Sequence, residues 1–162
     1  MNKFFWPTDY FAKLSDQWLD FALSVEKYNH YLGFGKFTIV DDLLVRDAAT
    51  AKLFELFGDI QTRILKTPPG FIFNWHIDPG TDRQCVLNLS LTPGIGNTFF
   101  IGNTTIHHNW NSILELDYEP NRWYLLNTSS RHCFLNLSDQ DRYVLSVDIK
   151  NTDYKTALEK LT

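Results

Sequence analysis

The sequence predicts a mainly β protein, a jelly roll backed by helices from its N-terminal third. Two observations predict this fold class. Apolar residues follow a helical period up to about residue 59, and from Ile60 onward they alternate with a period of two. Turn residues interrupt the second region every eight to twelve positions. Short strands that follow two helices fit a rolled antiparallel sheet with helices on one side.

Two helices are predicted in the first third of the chain. Ser15 can cap the first, which runs to about Tyr31, because apolar residues recur there three or four positions apart. Asp47 can cap the second, which ends at Gly58, a residue that readily adopts the left-handed conformation of a helix C-terminus. A short strand over Phe37–Val40 separates them. We expect both helices to pack on one sheet.

Turns rich in Pro, Gly, Asn and Asp separate the predicted strands of the second region. These strands are Ile60–Lys66, Phe71–His76, Arg83–Leu91, Thr98–Ile101, Ser112–Asp117, Arg122–Asn127, His132–Leu137 and Tyr143–Ile149. The third and the last of these strands have one apolar face and one half-polar face. This pattern favours a sheet whose apolar face packs in the core and whose other face lines a ligand pocket. We interpret residues 1–162 as one domain, with helical support over 1–59, a core over 60–149 and a tail over 150–162.

The composition argues against several classes of protein. The chain has 162 residues, 44% of them hydrophobic, which suits one compact core. A net charge of −4 without a basic run argues against a nucleic acid or a membrane surface as partner. Cys85 and Cys133 lie in apolar runs, so two buried free thiols are expected rather than a disulfide. With no export signal visible, we expect a cytoplasmic protein.

The motif that carries chemistry is Asn74-Trp75-His76-Ile77-Asp78. His76 and Asp78 are two positions apart, so at a strand end their side chains project from the same face. A second imidazole from a neighbouring strand would complete a set that caps one side of an octahedral metal ion, and His132 is the candidate. The predicted positions, rather than the common His-x-Asp spacing itself, give the motif its weight.

The spacing resembles that of the iron(II)- and 2-oxoglutarate-dependent dioxygenases, which have His-x-Asp, a long gap, a second His, and Arg or Lys ten residues later. Arg142 stands ten residues after His132. Arg83, the Leu-Asn-Leu-Ser-Leu run and the segment from Gly96 to Phe100 also look like the prolyl hydroxylase and aspartyl/asparaginyl β-hydroxylase-like branches. The resemblance covers about residues 71–149 and implies a double-stranded β-helix, the cupin-like jelly roll.

The resemblance implies a site and a reaction. Fe(II) would bind His76, Asp78 and His132, and 2-oxoglutarate would chelate the iron with its 5-carboxylate on Arg142. With O2, the enzyme would hydroxylate an unactivated C–H bond of an amino acid, peptide or protein side chain, and release succinate and CO2. No catalytic side chain beyond the metal centre is implied. Asn88 would contact the inner carboxylate or 2-oxo group, or equally a neighbouring strand.

Two comparisons with the family's pattern bear on the reaction. Some members place Ser or Thr two residues after the arginine, where this chain has Val144, so a second partner for the distal carboxylate must come from elsewhere. Halogenating relatives replace the carboxylate ligand with a small residue, so Asp78 favours hydroxylation. Two other functions stay open: a cupin-like metal enzyme that does not use 2-oxoglutarate, and a non-catalytic binding module.

Other interpretations of single residues also stay open. Asp78 can simply initiate a turn, and Arg142 can pair with acidic residues at the surface. One of Trp123 and Tyr124 should line the pocket. The remaining histidines, His30, His107 and His108, are expected at the surface or in the core. We further expect Phe71, Phe73 and Trp75 to point towards the helices, and Arg142 to begin the hairpin partner of the His132 strand.

Overall fold

The computed structural model describes residues 4–8, 17–30, 36–39, 48–78, 83–101 and 113–162. Within them the chain forms two antiparallel sheets and three helices. The strands are β1 Phe5–Thr8, β2 Asn29–His30, β3 Lys36–Ile39, β4 Ile60–Thr67, β5 Phe71–His76, β6 Cys85–Ser90, β7 Asn97–Ile101, β8 Ile113–Leu116, β9 Trp123–Asn127, β10 His132–Asn136 and β11 Arg142–Ile149. The helices are α1 Gln17–Ser24, α2 Ala48–Phe57 and α3 Tyr154–Leu161. None of these helices is long and apolar enough to span a membrane.

The two sheets have the layered arrangement of a jelly roll, which confirms the predicted fold class. The larger sheet has the order β1-β9-β6-β11-β4-β3-β2, and the smaller has the order β5-β10-β7-β8. Consecutive strands therefore alternate between sheets over much of the chain. All eight strands predicted after Ile60 are present, with ends within two residues of the prediction.

The helices pack on the outer face of the larger sheet, as predicted. Trp18 and Ala22 of α1, Leu53 of α2 and Leu158 of α3 belong to one buried apolar cluster. The strands contribute to it the residues Ile64, Cys85, Leu87, Leu89, Trp123, Leu125, Tyr143, Leu145, Val147 and Ile149. This cluster is the main core, and it leaves the opposite face of the same strands free to line a pocket.

The N-terminal third differs from the prediction in its details. Helix α1 ends at Ser24 instead of about Tyr31, because Asn29 and His30 pair as a strand with β3. Helix α2 ends before Gly58, whose positive φ of 70° confirms the predicted stop. The proposed caps, Ser15 and Asp47, lie outside the described residues.

Two predictions about the strands that carry the site are wrong. His132 pairs with His76 while Phe134 pairs with Phe73, so β5 contains one extra residue between these pairs. Such a bulge breaks the alternation of faces, and Phe73 therefore lies beside His76 in the pocket instead of facing the helices. Phe71 and Trp75 are not part of the cluster beneath the helices either, since β5 belongs to the other sheet.

The second wrong prediction concerns the strand that begins at Arg142. Strand β11 pairs with β4 and β6 in the larger sheet, whereas β10 pairs with β5 and β7 in the smaller one. The turn between them therefore crosses from one sheet to the other and is not a hairpin. His132 and Arg142 consequently face each other across the pocket from opposite sheets.

Candidate metal centre

Three side chains from the ends of β5 and β10 converge at one end of the pocket. The nearest ligand-type atoms of His76, Asp78 and His132 all lie within 4.8 Å of one another. Asp78 Oδ1 is 3.4 Å from His76 Nε2 and 3.9 Å from His132 Nε2. The pairing of β5 with β10 sets His76 directly opposite His132. The residues that the sequence singled out are thus neighbours in space.

Backbone carbonyl groups orient both imidazoles. The Nδ1 atoms of His76 and His132 lie 2.8 Å from the carbonyl oxygens of Asn74 and Ser130. A proton on each Nδ1 makes both contacts hydrogen bonds and leaves each Nε2 as an acceptor on the side of Asp78 Oδ1. Burial lowers the pKa of His132, which favours the neutral form that metal binding requires.

Asp78 is fixed from two directions. Its backbone N–H donates to the carbonyl oxygen of Thr128 at 3.1 Å, and its Oδ2 lies 3.2 Å from the guanidinium of Arg83. Burial alone would raise the pKa of Asp78, but the contact with His76 and the charge of Arg83 outweigh burial, so that pKa lies below its ordinary value. Asp78 is therefore a carboxylate at neutral pH, with Oδ1 directed at the imidazoles.

Arg142 lies in the same pocket, buried and 3% exposed. Its guanidinium carbon is 5.3 Å from the Tyr118 ring centre and 5.8 Å from that of Phe134. Its Nε and one terminal nitrogen have no hydrogen-bond partner among the described residues. Burial lowers its pKa, although an arginine stays protonated in proteins. A buried guanidinium with unused donors is costly unless an anion binds it.

The end of β10 and the turn before β11 hold Arg142 in place. Asn136 is fully buried, and its amide donates to the carbonyl oxygens of Thr67, Pro68 and Gln140 at 2.8 to 3.0 Å. This amide ties the end of β4 to the turn that precedes Arg142. The surface pairing of Arg142 with acidic residues is excluded by its burial; Asp141 pairs with Lys66 instead, at 2.7 Å.

The polar groups around Arg142 include Tyr118 and Thr98, which sequence reasoning missed. The Tyr118 hydroxyl lies 3.1 Å from Thr98 Oγ1 and accepts from Asn88 Nδ2 at 3.4 Å. Asn88 Oδ1 and Ser146 Oγ are buried and have no hydrogen-bond partner among the residues that the structure describes. Asn88 lies in the lining of the pocket, and its side-chain amide bonds to Tyr118, a residue between β8 and β9, rather than to a neighbouring strand. Tyr118 follows β8 in a segment without periodicity, so no sequence signal identified it.

Several other sequence predictions concern residues outside the metal site. The prediction that Trp123 or Tyr124 lines the pocket is wrong. Trp123 belongs to the core beneath the helices, and Tyr124 packs in a second cluster with Phe100 and Tyr118. Strand β9 contributes Leu126 to the pocket lining instead. Cys85 and Cys133 are both buried and free, as predicted. Burial raises the pKa of Cys85 to about 12 and that of Cys133 to about 11, so both stay thiols. His107 and His108 lie outside the described residues, as does the side chain of His30.

No protein-family model matches the sequence, and no curated relative matches it. Solved structures do. A prolyl hydroxylase from Trichoplax adhaerens, in complex with a peptide fragment of the hypoxia inducible factor oxygen degradation domain, has a TM-score of 0.67 at 15% identity, over 91% of this chain and 83% of that one. EvdO2 from Micromonospora carbonacea var. aurantiaca, complexed with 2-oxoglutarate, has a TM-score of 0.65 at 13% identity, over 91% and 85%.

A third structure covers nearly the whole of both proteins. The collagen prolyl hydroxylase of Paramecium Bursaria Chlorella virus-1, in its 2-oxoglutarate complex, has a TM-score of 0.59 at 13% identity, over 94% of this chain and 98% of that one. The chain has the fold of the iron(II)- and 2-oxoglutarate-dependent oxygenases. At such low identity the similarity establishes this fold, and the chemistry depends on the residues that line the pocket.

Proposed function

We propose that this chain is an Fe(II)- and 2-oxoglutarate-dependent oxygenase that hydroxylates an unactivated C–H bond of an amino acid, a peptide or a protein side chain. One observation carries the proposal. The pocket that contains His76, Asp78 and His132 also contains the buried guanidinium of Arg142, two of whose nitrogens have no hydrogen-bond partner in the described part of the chain. A metal-binding triad alone fits many enzymes, but a triad with an anion-binding arginine fits a metal-chelating dicarboxylate.

The donor set fits Fe(II). Two imidazole nitrogens and one carboxylate oxygen, all acceptors, converge within 4.8 Å, and a cation between them satisfies all three. His76 and His132 would bind the iron through Nε2, and Asp78 through Oδ1. When bound, iron and 2-oxoglutarate would supply the oxidation chemistry. O2 would be reduced while 2-oxoglutarate is oxidised to succinate and CO2 and the C–H bond is hydroxylated. The protein itself supplies ligand geometry and a pocket shielded from water.

Arg142 would hold the 5-carboxylate of 2-oxoglutarate. Its Nε and one terminal nitrogen are the donors that a carboxylate can occupy, and the rings of Tyr118 and Phe134 hold the guanidinium between them. The hydroxyl of Tyr118 lies close to this group and is our candidate for the second carboxylate partner that Val144 cannot provide. Asn88, opposite Ser146 on the pocket floor, would contact the inner carboxylate or the 2-oxo group.

The substrate would enter from the side of His76, whose side chain is 25% exposed while those of Asp78 and His132 are 8% exposed. The Trichoplax adhaerens enzyme is a hydroxylase complexed with a peptide. In this chain, an opening on the side of His76 suits a side chain presented by a peptide, and equally a free amino acid. No side-chain general base is required for such an oxidation, and we assign none.

The proposal is tested by anaerobic titration with Fe(II) and then with 2-oxoglutarate. We expect one equivalent of iron, followed by a weak visible metal-to-ligand charge-transfer band when 2-oxoglutarate binds. A cupin-like enzyme that does not use 2-oxoglutarate would bind the metal without the band. A non-catalytic module would bind neither, and either result would refute the proposal.

Variants test the ligand assignment within the same titration. His132→Ala should lose tight iron binding, because the triad keeps only two donors. Cys133→Ala is a matched control, since it changes the next residue of β10, which is buried on the other side of the strand. If His132→Ala takes up one equivalent of iron as tightly as the parent, His132 is not a ligand.

A further inference from the structure

Arg83 connects the proposed metal centre to a buried carboxylate on the opposite sheet. Its Nη1 lies 3.2 Å from Asp78 Oδ2, and its Nε donates to Asp148 Oδ1 at 3.0 Å. Asp148 is fully buried at the end of β11. The two ends of one planar guanidinium therefore bind two different carboxylates, 70 positions apart in the chain (148 − 78).

Arg83 is itself held firmly. Asp148 also pairs with Arg63, so two guanidinium groups and two carboxylates form one connected network with no net charge. The backbone of Arg83 is fixed by Thr128, whose hydroxyl donates to the Arg83 carbonyl oxygen at 3.0 Å. Thr128 accepts the backbone N–H of Asp78 as well, so one residue aligns both partners. A guanidinium fixed in this way is pre-organised for its hydrogen bonds.

The two oxygens of Asp78 have separate partners as a result. Oδ2 faces Arg83, while Oδ1 lies closest to the imidazole nitrogens of His76 and His132. A free carboxylate can bind a metal through one oxygen or through both. Rotation into a two-oxygen arrangement would pull Oδ2 away from Arg83 and leave that guanidinium with a single partner.

We propose that Arg83 is a positioning residue that restricts Asp78 to coordination through Oδ1 alone. The inference rests on the metal site of the proposed function. His76, Asp78 and His132 would then hold a six-coordinate ion through one atom each, which would leave three positions open. A chelating dicarboxylate takes two of them, and one is left for O2. A two-oxygen Asp78 would occupy that last position.

The test counts the water molecules on bound Mn(II), a divalent ion that prefers the same octahedral geometry. Electron-nuclear double resonance in ¹⁷O-enriched water gives this count without any turnover. For the parent we expect three waters on the ion, falling to one when 2-oxoglutarate is added. For Arg83→Met we expect two, falling to none, because the released Asp78 binds through both oxygens.

Arg122→Met is the matched control. It also removes an arginine that pairs with a carboxylate, at 2.8 Å from Glu119, but this pair does not line the pocket. The control should keep three waters. If Arg83→Met fails to fold, as judged by circular dichroism, Arg83→Gln removes the charge while it keeps a polar group of shorter reach, and two waters are again expected.

The outcomes separate this inference from the proposed function. A parent protein that binds no Mn(II) refutes the metal centre itself. A parent with three waters and an Arg83→Met variant that also has three refutes only the role of Arg83. A purely structural role would lower the thermal stability of Arg83→Met and leave the count of waters unchanged.

Discussion

The two faces of strand β11 are equally buried but chemically different. All eight residues of Arg142–Ile149 are buried. Tyr143, Leu145, Val147 and Ile149 pack beneath the helices, whereas Arg142, Val144 and Ser146 line the pocket. The apolar face is a closed core in which every group has neighbours. On the pocket face, polar atoms of Arg142 and Ser146 have no hydrogen-bond partner within the described ranges of the chain. Unsatisfied polar groups, rather than burial, distinguish a binding site from a core.

The largest expected effect comes from the apolar face. Leu145→Ala removes a fully buried side chain from the core and should lower the free energy of unfolding by roughly 2–5 kcal/mol, because it leaves a cavity. Urea denaturation followed by circular dichroism measures this change. Ile72→Ala is the control, since Ile72 is 55% exposed and should cost little. A loss for Leu145→Ala no larger than that of the control would show that this face is not the stabilising one.

The next largest effect is expected on the pocket face. It should appear in the affinity for 2-oxoglutarate instead of the free energy of unfolding. Arg142→Leu should weaken 2-oxoglutarate binding to the metal-loaded protein by roughly 1.5–3 kcal/mol, the usual contribution of hydrogen bonds to charged groups. Isothermal titration calorimetry with Mn(II) in place of iron measures the affinity. The free energy of unfolding without ligand should stay the same or increase, because a buried unpaired charge is removed.

Arg122→Leu, at the surface, is the matched control for Arg142→Leu and should leave the affinity unchanged. Undiminished 2-oxoglutarate binding by Arg142→Leu would contradict the assignment of the cosubstrate site. A large loss of stability in that variant would instead place Arg142 with the core residues and remove the contrast between the two faces.

The alternation of β11 and β6 was readable from the sequence because both strands are regular. In each strand one face is apolar throughout and the other is half-polar, so the face that carries Asn88 and Arg142 followed from the period of two. The His-x-Asp spacing and the second histidine could also be predicted from the sequence. Each of these residues stands at or next to a predicted strand end, where the family's spacing places the ligands.

The remaining features depend on contacts that carry no local signal. The extra residue in β5 places Phe73 and His76 on the same side, which the expected period of two forbids. The crossing from β10 to β11 looks like a hairpin in sequence, because its turn residues are the same. Arg83 and Asp148 are 65 residues apart, and neither position suggests a partner at that distance.

Gly96 lies in the connection between β6 of the larger sheet and β7 of the smaller one, and its replacement should have the next smaller effect. Its φ is 70°, and a Cβ atom there would overlap the Leu135 carbonyl oxygen and approach Arg142 Cδ at 2.9 Å. Gly96→Ala should lower the free energy of unfolding by roughly 1–3 kcal/mol through backbone strain and this overlap. It should also weaken 2-oxoglutarate binding, because Arg142 has to shift. Urea denaturation and calorimetry measure the two effects.

Gly94→Ala separates strain from overlap. Gly94 also has a positive φ, of 82°, but a Cβ atom there meets nothing within 4 Å. This variant should lose some stability through strain and keep the parent's affinity for 2-oxoglutarate. Equal affinities for the two alanine variants would show that the position of Arg142 does not depend on its contact with Gly96.

The smallest expected effect compares two buried hydroxyl groups. Ser146 Oγ has no partner among the described residues, so Ser146→Ala should change the free energy of unfolding by less than about 0.5 kcal/mol. Thr128 Oγ1 donates to the Arg83 carbonyl oxygen, so Thr128→Val should cost roughly 1 kcal/mol. Urea denaturation of the metal-free protein measures both. A cost for Ser146→Ala as large as that for Thr128→Val would mean that the Ser146 hydroxyl stabilises the fold, and it would then no longer count among the groups that the pocket reserves for a ligand.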